Sequence, residues 1–85
     1  MKQVEIYTGP LCAFCDRAKA LLNKKGVSFK EINLASDPNK MEEMIKKTNG
    51  MRTIPQIFID GHHIGGNDKL QALENEGKLN SLLGV

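Results

Sequence analysis

The dipeptide Asp60-Gly61 constrains the fold of this chain more than any other feature, because it stands between the apolar run Ile57-Phe58-Ile59 and the segment His62-His63-Ile64. Asp-Gly favours the two-residue turn that joins antiparallel strands. The two flanking segments are therefore predicted to form a β-hairpin. Any sheet in this protein has to accommodate that antiparallel pair.

The first residues of the chain show the period of two that is typical of a strand buried on one face. Val4 and Ile6 occupy the apolar positions, and Tyr7 falls with the polar neighbours on the face that should be less buried. We therefore predict a strand at residues 2–7. Apolar side chains then recur at helical spacing, which predicts a helix over residues 12–25.

A second strand is predicted at residues 27–34, where the alternation is less regular. A strand, a crossover helix and a strand favour parallel pairing with a right-handed connection. Asp37 should cap a second helix that has Pro38 in its first turn and ends near Gly50. Asn67 should cap a third helix, which is followed by a short last turn.

Together these elements predict an α/β fold in the order βαβαββα. Parallel pairing of the first two strands and the antiparallel hairpin give a four-stranded mixed sheet flanked by helices on both faces. The chain has 85 residues, of which 40% are hydrophobic and 26% charged. This composition predicts a single folded domain over residues 1–85 and argues against a disordered chain.

Charge and hydropathy exclude several function classes. The longest uncharged stretch, Ile6 to Cys15, has ten residues, about half of what a membrane-spanning helix needs. The start of the chain resembles neither a secretory nor a transit peptide, so a cytoplasmic location is expected. Twelve basic and ten acidic side chains leave a net charge of +2, and 5% of the residues are aromatic, which makes nucleic acid a poor partner.

The two cysteines are the strongest functional signal. Cys12-Ala13-Phe14-Cys15 follows a predicted strand and opens a predicted helix, a context typical of redox-active cysteine pairs. Unpaired amides and the helix dipole favour an anion at the first turn, so Cys12 is the expected nucleophilic thiolate. Cys15, one turn later, is within disulfide reach and is the expected resolving thiol.

Three structural explanations of the pair are weaker. Two buried free cysteines seldom fall at a junction between loop and helix that follows Gly9-Pro10. A structural disulfide is unusual in a cytoplasmic chain. A zinc site needs four ligands, and His62 and His63 are adjacent on the predicted hairpin rather than at ligand spacing.

Two further segments can contribute to a binding site. The proline of Arg52-Thr53-Ile54-Pro55 either marks a strand edge or forms a cis peptide bond that presents the Ile54 backbone to an extended peptide. Gly65-Gly66-Asn67-Asp68 is either a turn with an ordinary helix cap or a site whose amides bind a carboxylate while Asp68 binds an ammonium group. A small zwitterion would suit the second arrangement.

In this order, the three segments resemble those of the glutaredoxins, most closely the small bacterial dithiol class. The resemblance extends from Val4-Glu5-Ile6-Tyr7 through Arg17-Ala18-Lys19-Ala20-Leu21-Leu22 to Ile64-Gly65-Gly66. It implies a thioredoxin-like fold and a glutathione-dependent reduction of protein disulfides and glutathione mixed disulfides, with Cys12 and Cys15 as catalytic residues. It also implies a glutathione site formed by Phe14, Arg52, Thr53, Ile54, Pro55, Gly66, Asn67 and Asp68.

The chain departs from the usual family pattern at two places. Ala13 and Phe14 replace the proline and tyrosine that commonly separate the cysteines, and Gly9 stands where many members carry a lysine. The resemblance implies that such a lysine is a counter-charge for the thiolate and for the glycine carboxylate of glutathione. Arg52 or Lys19 could substitute for it here.

Because no proline stands between the two cysteines, the resemblance also implies a second candidate function. Some glutaredoxins that lack it share a [2Fe-2S] cluster between two protomers, each of which contributes its first cysteine and a bound glutathione sulfur. Ala13 therefore makes Cys12 a candidate cluster ligand in a dimer, and without a cluster a monomer is expected. Glutathione and disulfide-containing or glutathionylated proteins are the expected partners. A thioredoxin served by a flavin reductase is disfavoured, because the chain contains no Trp.

Overall fold

The computed structural model describes residues 2–85. In this part of the chain, four strands and four helices follow the predicted order, and the predicted last turn forms a short helix. The strands are β1 (Val4–Thr8), β2 (Lys30–Asn33), β3 (Gln56–Ile59) and β4 (His62–Gly65). The helices are α1 (Ala13–Lys24), α2 (Lys40–Lys47), α3 (Asn67–Asn75) and α4 (Leu79–Leu83).

The strands form one mixed sheet in the order β2-β1-β3-β4. β1 pairs in parallel with β2 and antiparallel with β3, where Ile6 lies opposite Ile57. β3 and β4 form the hairpin, and Asp60 and Gly61 occupy its turn with φ values of 51° and 80°. The predicted α/β fold with a four-stranded mixed sheet is therefore confirmed.

Helices cover both faces of this sheet, as predicted. One face is covered by α1, α3 and α4, and the other by α2. The first core contains Val4, Ile6, Ala18, Leu21, Leu22, Val27, Ile57, Ile59, Leu70, Leu79 and Leu83. The second core contains Tyr7, Ile32, Leu34, Met44 and Phe58. None of the helices within residues 2–85 has both the length and the apolar character needed to cross a membrane.

Tyr7 is fully buried, although the alternation of β1 placed it on the less buried face. Because α2 covers that face, the Tyr7 ring packs edge-on against Phe58, and its hydroxyl donates to Glu43 at 2.7 Å and accepts from Lys47 at 3.1 Å. Burial, followed by the hydrogen bond to Glu43, raises the Tyr7 pKa. A central strand between two helical layers buries both of its faces.

β2 is shorter than the predicted segment 27–34. The backbone N–H of Val27 donates to the carbonyl of Leu22 at 3.3 Å, so Val27 is bonded to the end of α1 rather than to the sheet. Pairing with β1 begins at Lys30, which lies opposite Glu5. The first part of the predicted strand is therefore a connection.

Both predicted helix caps are wrong. α2 begins at Lys40, because the carbonyl of Asp37 accepts the Lys40 N–H at 3.1 Å and closes a separate turn before the helix. Gly66 rather than Asn67 is the N-cap of α3. The Asn67 side chain accepts a hydrogen bond from Gln71 at 3.1 Å, so its oxygen serves within the helix instead of capping it.

Candidate active site

The loop that follows β1 brings both cysteines to the first turn of α1. Cys12 is the N-cap, with an extended backbone (φ −116°, ψ 99°), and its Sγ accepts a hydrogen bond from the backbone N–H of Cys15 at 3.1 Å. Cys12 is half-buried, whereas Cys15 is 1% exposed. Both are free thiols. Reagents in solution can therefore reach the first sulfur far more easily than the second.

The position of Cys12 favours a negative charge on its sulfur. The first amides of a helix lack acceptors within the helix, and the positive end of the helix dipole lies at the same place. One of these amides, that of Cys15, points at the Cys12 sulfur. A thiol thus occupies the position that a Ser, Thr, Asp or Asn side chain usually takes. This geometry can stabilise an attacking thiolate.

Cys15 has a different environment. Burial raises the pKa of its thiol to about 12, and the hydrogen bond with Cys12 acts in the same direction. The backbone amide of Gly9 and the ammonium group of Lys19 act in the opposite direction. At neutral pH Cys15 is therefore a thiol, and its ionisation depends on these few polar neighbours.

A groove of about 410 Å³ lies beside the turn that carries the cysteines. Its walls come from the start of α1, from the segment before β3 and from the first turn of α3. The lining residues are Phe14, Met51, Thr53, Ile54, Pro55, Gln56, Gly66, Asn67 and Asp68. Phe14, which stands between the two cysteines in the sequence, is one of these residues, whereas a larger depression of about 550 Å³ is lined only by residues between Lys30 and Lys40.

All residues predicted to bind glutathione, with one exception, line this groove. Phe14 is 56% exposed at its edge. The peptide bond between Ile54 and Pro55 is cis, the second of the two alternatives that the sequence left open. Arg52 is the exception, since it is exposed and is not among the lining residues.

Gln56 braces the groove wall from inside. It is fully buried, and its Nε2 donates to the carbonyl and to the hydroxyl of Thr53, both at 3.1 Å. Its Oε1 lies 2.6 Å from the Nε2 of His63 on β4. The segment before the cis peptide bond is thus fixed to the hairpin by side-chain hydrogen bonds.

The first turn of α3 forms the far end of the groove. Gly66 approaches the Pro55 carbonyl so closely that a Cβ at position 66 would stand 3.3 Å from it. Asn67 is buried, and the Asp68 carboxylate is exposed to solvent. The helix amides and an accessible carboxylate therefore stand side by side, as a ligand with both charges would require.

Sequence analysis missed two groove residues, Met51 and Gln56. Met51 is exposed at the rim, one position before the segment that was singled out. A polar side chain at the start of the apolar strand β3 is the signal that points to Gln56. Leu11, also outside the prediction, is fully exposed beside Cys12 with a φ of 52°.

Lys19 and Arg52, the two cations considered as counter-charges for the thiolate, are engaged or located elsewhere. Lys19 pairs with Glu31 at 3.1 Å, and Arg52 lies outside the groove lining. The guanidinium of Arg17 lies over the Phe14 ring, 5.4 Å from its centre. Residues 2–85 contain no cluster of three or more His, Cys, Asp or Glu side chains that could hold a metal ion.

Two free thiols lie at the N-terminus of a helix that directly follows the first strand of a mixed sheet, and a cis-proline loop lies beside them. This arrangement defines a thiol–disulfide oxidoreductase with a thioredoxin-like fold. The glutaredoxin family model matches residues 4–64. The chain belongs to the glutaredoxin family.

The chain is 55% identical to Glutaredoxin 3 of Escherichia coli (strain K12) over 83 residues, which cover 98% of this chain and 99% of that protein. A crystal structure of a buckwheat glutaredoxin–glutathione complex matches with a TM-score of 0.86 at 30% identity, over 98% of this chain and 77% of that one. A structure solved in work on metal binding of glutaredoxins matches with a TM-score of 0.72 at 53% identity, over 98% of this chain and 89% of that one. The predicted family, its similarity to the small bacterial class and the thioredoxin-like fold are confirmed.

Proposed function

We propose that this protein is a glutathione-dependent oxidoreductase that reduces protein disulfides and glutathione mixed disulfides, with Cys12 as the nucleophile and Cys15 as the resolving thiol. The observation that carries the proposal is the 3.1 Å hydrogen bond from the Cys15 amide to the Cys12 sulfur. The groove of about 410 Å³ beside it has the size of a small-molecule site. A stabilised thiolate and a binding site for glutathione thus adjoin.

In the first step, the Cys12 thiolate attacks the glutathione sulfur of a mixed disulfide. A bond forms between these two sulfurs, and the substrate sulfur leaves as a thiolate that takes up a proton from water. The Cys15 amide and the dipole of α1 stabilise the attacking thiolate and hold its sulfur in place. A protein disulfide is attacked in the same way.

The proposed glutathione site uses backbone groups at both ends of the groove. The extended cysteinyl part pairs with the backbone of Ile54 beside the cis peptide bond, between Thr53 and Pro55. The amides of α3 after Gly66 receive the γ-glutamyl carboxylate, and Asp68 receives its ammonium group. The buckwheat glutaredoxin, which was solved as a glutathione complex, supports this assignment.

Two routes lead onward from the mixed disulfide on Cys12. A second glutathione can attack it, which regenerates Cys12, forms oxidised glutathione and does not require Cys15. Alternatively, Cys15 attacks the Cys12 sulfur and releases the bound thiol. The second route needs the deprotonation of Cys15, a thiol whose pKa is raised by burial. Small glutathionylated substrates are therefore expected to follow the first route.

The test is glutathione-dependent reduction of a small glutathione mixed disulfide by the wild type and by the matched variants Cys12→Ser and Cys15→Ser. Each variant exchanges one sulfur for oxygen. We expect Cys12→Ser to fall to the uncatalysed rate and Cys15→Ser to retain most of the activity. Equal rates for the wild type and Cys12→Ser would refute the proposal. Mass spectrometry after incubation with oxidised glutathione locates the adduct.

The proposal also covers the oligomeric state, the location and the partners of the active protein. We infer that the 85 residues act as one glutaredoxin domain, as a monomer in the cytoplasm, with glutathione and disulfide-containing or glutathionylated proteins as partners. Neither nucleic acid nor a membrane belongs to this activity. Light scattering of the reduced protein tests the monomer, and a mass of two chains would contradict it.

A [2Fe-2S] cluster in a dimer is the second candidate function, favoured by Ala13 in place of proline and by the partly exposed sulfur of Cys12. Cys12 would be the protein ligand in each protomer, with glutathione thiolate as the second donor, and such a cluster supplies electron-transfer or cluster-transfer chemistry. Cys15, at 1% exposure, is unsuited as a ligand. The related structure from work on metal binding supports this candidate.

Anaerobic reconstitution with iron, sulfide and glutathione tests the cluster. A brown protein with the mass of two chains is expected for the wild type, and Ala13→Pro should reduce the yield. Cys12→Ser should abolish both the colour and the dimer. A colourless monomer from the wild type would exclude this function and leave the oxidoreductase proposal unaffected.

A further inference from the structure

The ammonium group of Lys19 is held in place one helical turn after Cys15. Its Nζ donates to Glu31 Oε2 at 3.1 Å and lies 3.8 Å from Asp16 Oδ1. The same Glu31 oxygen accepts the hydroxyl of Thr8 at 2.7 Å. The Lys19 side chain is 27% exposed, while Thr8 is fully buried. The ion pair is therefore anchored to the protein interior.

The lysine of this network belongs to the same helix as the buried thiol, four residues further along. Residues four apart on a helix share one face, which places Lys19 next to Cys15. Thr8, which anchors Glu31, directly precedes Gly9, whose backbone amide acts on the Cys15 sulfur as well. The ammonium group and this amide both favour a negative charge on Cys15.

The charged and titratable groups near Cys15 come from α1 and from β2. Cys12, at the start of α1, opposes ionisation of Cys15 through its hydrogen bond and charge, and Lys19 favours ionisation. Asp16 of α1 and Glu31 of β2 are the carboxylates that pair with Lys19. The hydrogen bond with Glu31 raises the Lys19 pKa above its ordinary value, so the positive charge persists wherever thiol exchange is measured.

We propose that Lys19 is a positioning residue for the resolving step, in which its anchored ammonium group stabilises the Cys15 thiolate as it attacks Cys12. The inference rests on the proposed function. In this step the Cys15 proton leaves to solvent, and a bond forms between the sulfurs of Cys15 and Cys12. The bond from Cys12 to the substrate sulfur breaks, and the released thiolate takes up a proton. The cysteine pair is oxidised by two electrons, and the substrate is reduced.

A purely structural role of Lys19 makes a different prediction. Ion pairs near the surface contribute little to folding stability. If Lys19 did no more than pair with Glu31, its removal would leave the chemistry of Cys15 unchanged. An electrostatic role instead displaces the pH profile of disulfide closure, and an arginine at position 19 retains most of the effect because it keeps the charge.

The experiment measures closure of the disulfide from protein that carries glutathione on Cys12. Samples are quenched with acid between pH 6 and 10, and mass spectrometry follows loss of the adduct. We expect Lys19→Gln to displace the whole rate profile to higher pH and to slow closure at pH 7.5 by about 3- to 10-fold, as expected for one charge near a buried thiol. Lys19→Arg should restore the wild-type profile. Lys24→Gln, which removes an exposed lysine from the same helix, should leave it unchanged.

A second measurement shows on which thiol Lys19 acts. Glutathione-dependent turnover in a Cys15→Ser background does not use the resolving step, so adding Lys19→Gln should leave it unchanged. A fall in that turnover would assign Lys19 to Cys12 or to the glutathione site and overturn the inference. Coincident closure profiles of the wild type and Lys19→Gln would also overturn it, while the proposed function would stand. A wild type that forms neither an adduct on Cys12 nor the disulfide between Cys12 and Cys15 would defeat the proposed function and this inference together.

Discussion

Gly9 lies so close to Ile54 that a Cβ at position 9 would stand 2.7 Å from the Ile54 Cδ1 atom. Carbon atoms in proteins do not approach this closely, so any other residue at position 9 forces the Ile54 side chain to move. Ile54 lines the groove. The loop that leaves β1 and the wall of the proposed glutathione site are therefore in direct contact, and the glycine that replaces the lysine of many glutaredoxins has a steric consequence.

The variant Gly9→Ala is expected to displace Ile54 and weaken glutathione binding. The clashing atom is the end of a flexible, half-buried side chain that can turn away, so the loss of stability should lie below the about 1–3 kcal/mol that overpacking of a closed core costs. The KM for a glutathionylated substrate should rise, with a smaller effect on kcat, because Cys12 is not touched. Steady-state kinetics and a thermal melt measure the two effects.

The matched control for Gly9→Ala is the double variant Gly9→Ala with Ile54→Val, which removes the Cδ1 atom responsible for the clash. Most of the lost affinity should return. A KM that stays high in the double variant would show that the glycine is needed for backbone reasons instead.

Alkylation at neutral pH should label Cys12 far faster than Cys15. Burial raises the pKa of the Cys15 thiol to about 12 and leaves the residue 1% exposed, so few Cys15 thiolates are available to react at pH 7. Mass spectrometry during iodoacetamide treatment should show a single rapid adduct in the wild type and in Cys15→Ser. A rapid adduct in Cys12→Ser would contradict the difference in environment.

Replacing Gln56 by Leu should loosen the groove wall. The variant removes both bonds to Thr53 and leaves His63 without its partner, which is expected to cost about 1–3 kcal/mol of stability. KM for the glutathionylated substrate should rise, because the segment before the cis peptide bond loses its brace. The control His63→Ala removes one bond and keeps those to Thr53, so it should leave KM near the wild-type value. An unchanged KM in Gln56→Leu would contradict the bracing role.

The stability of the protein at acid pH should depend on Thr8. The hydrogen bond from the Thr8 hydroxyl, followed by that from Lys19, lowers the Glu31 pKa. A carboxyl whose pKa is lowered by folding stabilises the protein above its unfolded pKa of about 4.3, and this stability is lost as the pH falls through the folded value. Thr8→Val should raise the Glu31 pKa and move acid unfolding to higher pH, and because Glu31 is a third exposed the shift should be small.

NMR titration of the Glu31 carboxyl and melting curves between pH 2 and 7 measure these two changes. The melting temperature at pH 7 serves as the control for general damage by Thr8→Val. A Glu31 titration that coincides in the wild type and the variant would contradict the role of the hydroxyl.

Local signals in the sequence were sufficient to predict the order of strands and helices and the position of the two thiols at the start of α1. The turn at Asp60-Gly61 needs positive φ angles that these residues tolerate, so the hairpin could be predicted from this dipeptide. The start of α1, with Cys12 as its N-cap, follows from the break in periodicity after β1. Both features depend on neighbours along the chain, and this is why a sequence can reveal them.

Features that depend on distant partners could not be predicted. Tyr7 is buried because α2 covers its face of the sheet, where Glu43, 36 residues further along the chain, accepts a hydrogen bond from the Tyr7 hydroxyl. Thr8 and Glu31 are 23 residues apart, and no pattern in either segment indicates their hydrogen bond. The misplaced cap at Asn67 is a different case, because its side chain has a local alternative partner, Gln71, four residues further along the helix.

Under the proposed mechanism, the different burial of the two sulfurs gives adducts on Cys12 different lifetimes. The buried Cys15 thiol is seldom ionised, so a small adduct that free glutathione can reach would be removed by glutathione before Cys15 attacks. A bulky protein that shields its own mixed disulfide from glutathione would stay bound until Cys15 attacks. The lifetime of the mixed disulfide, rather than a separate recognition site, would then decide which thiol resolves it.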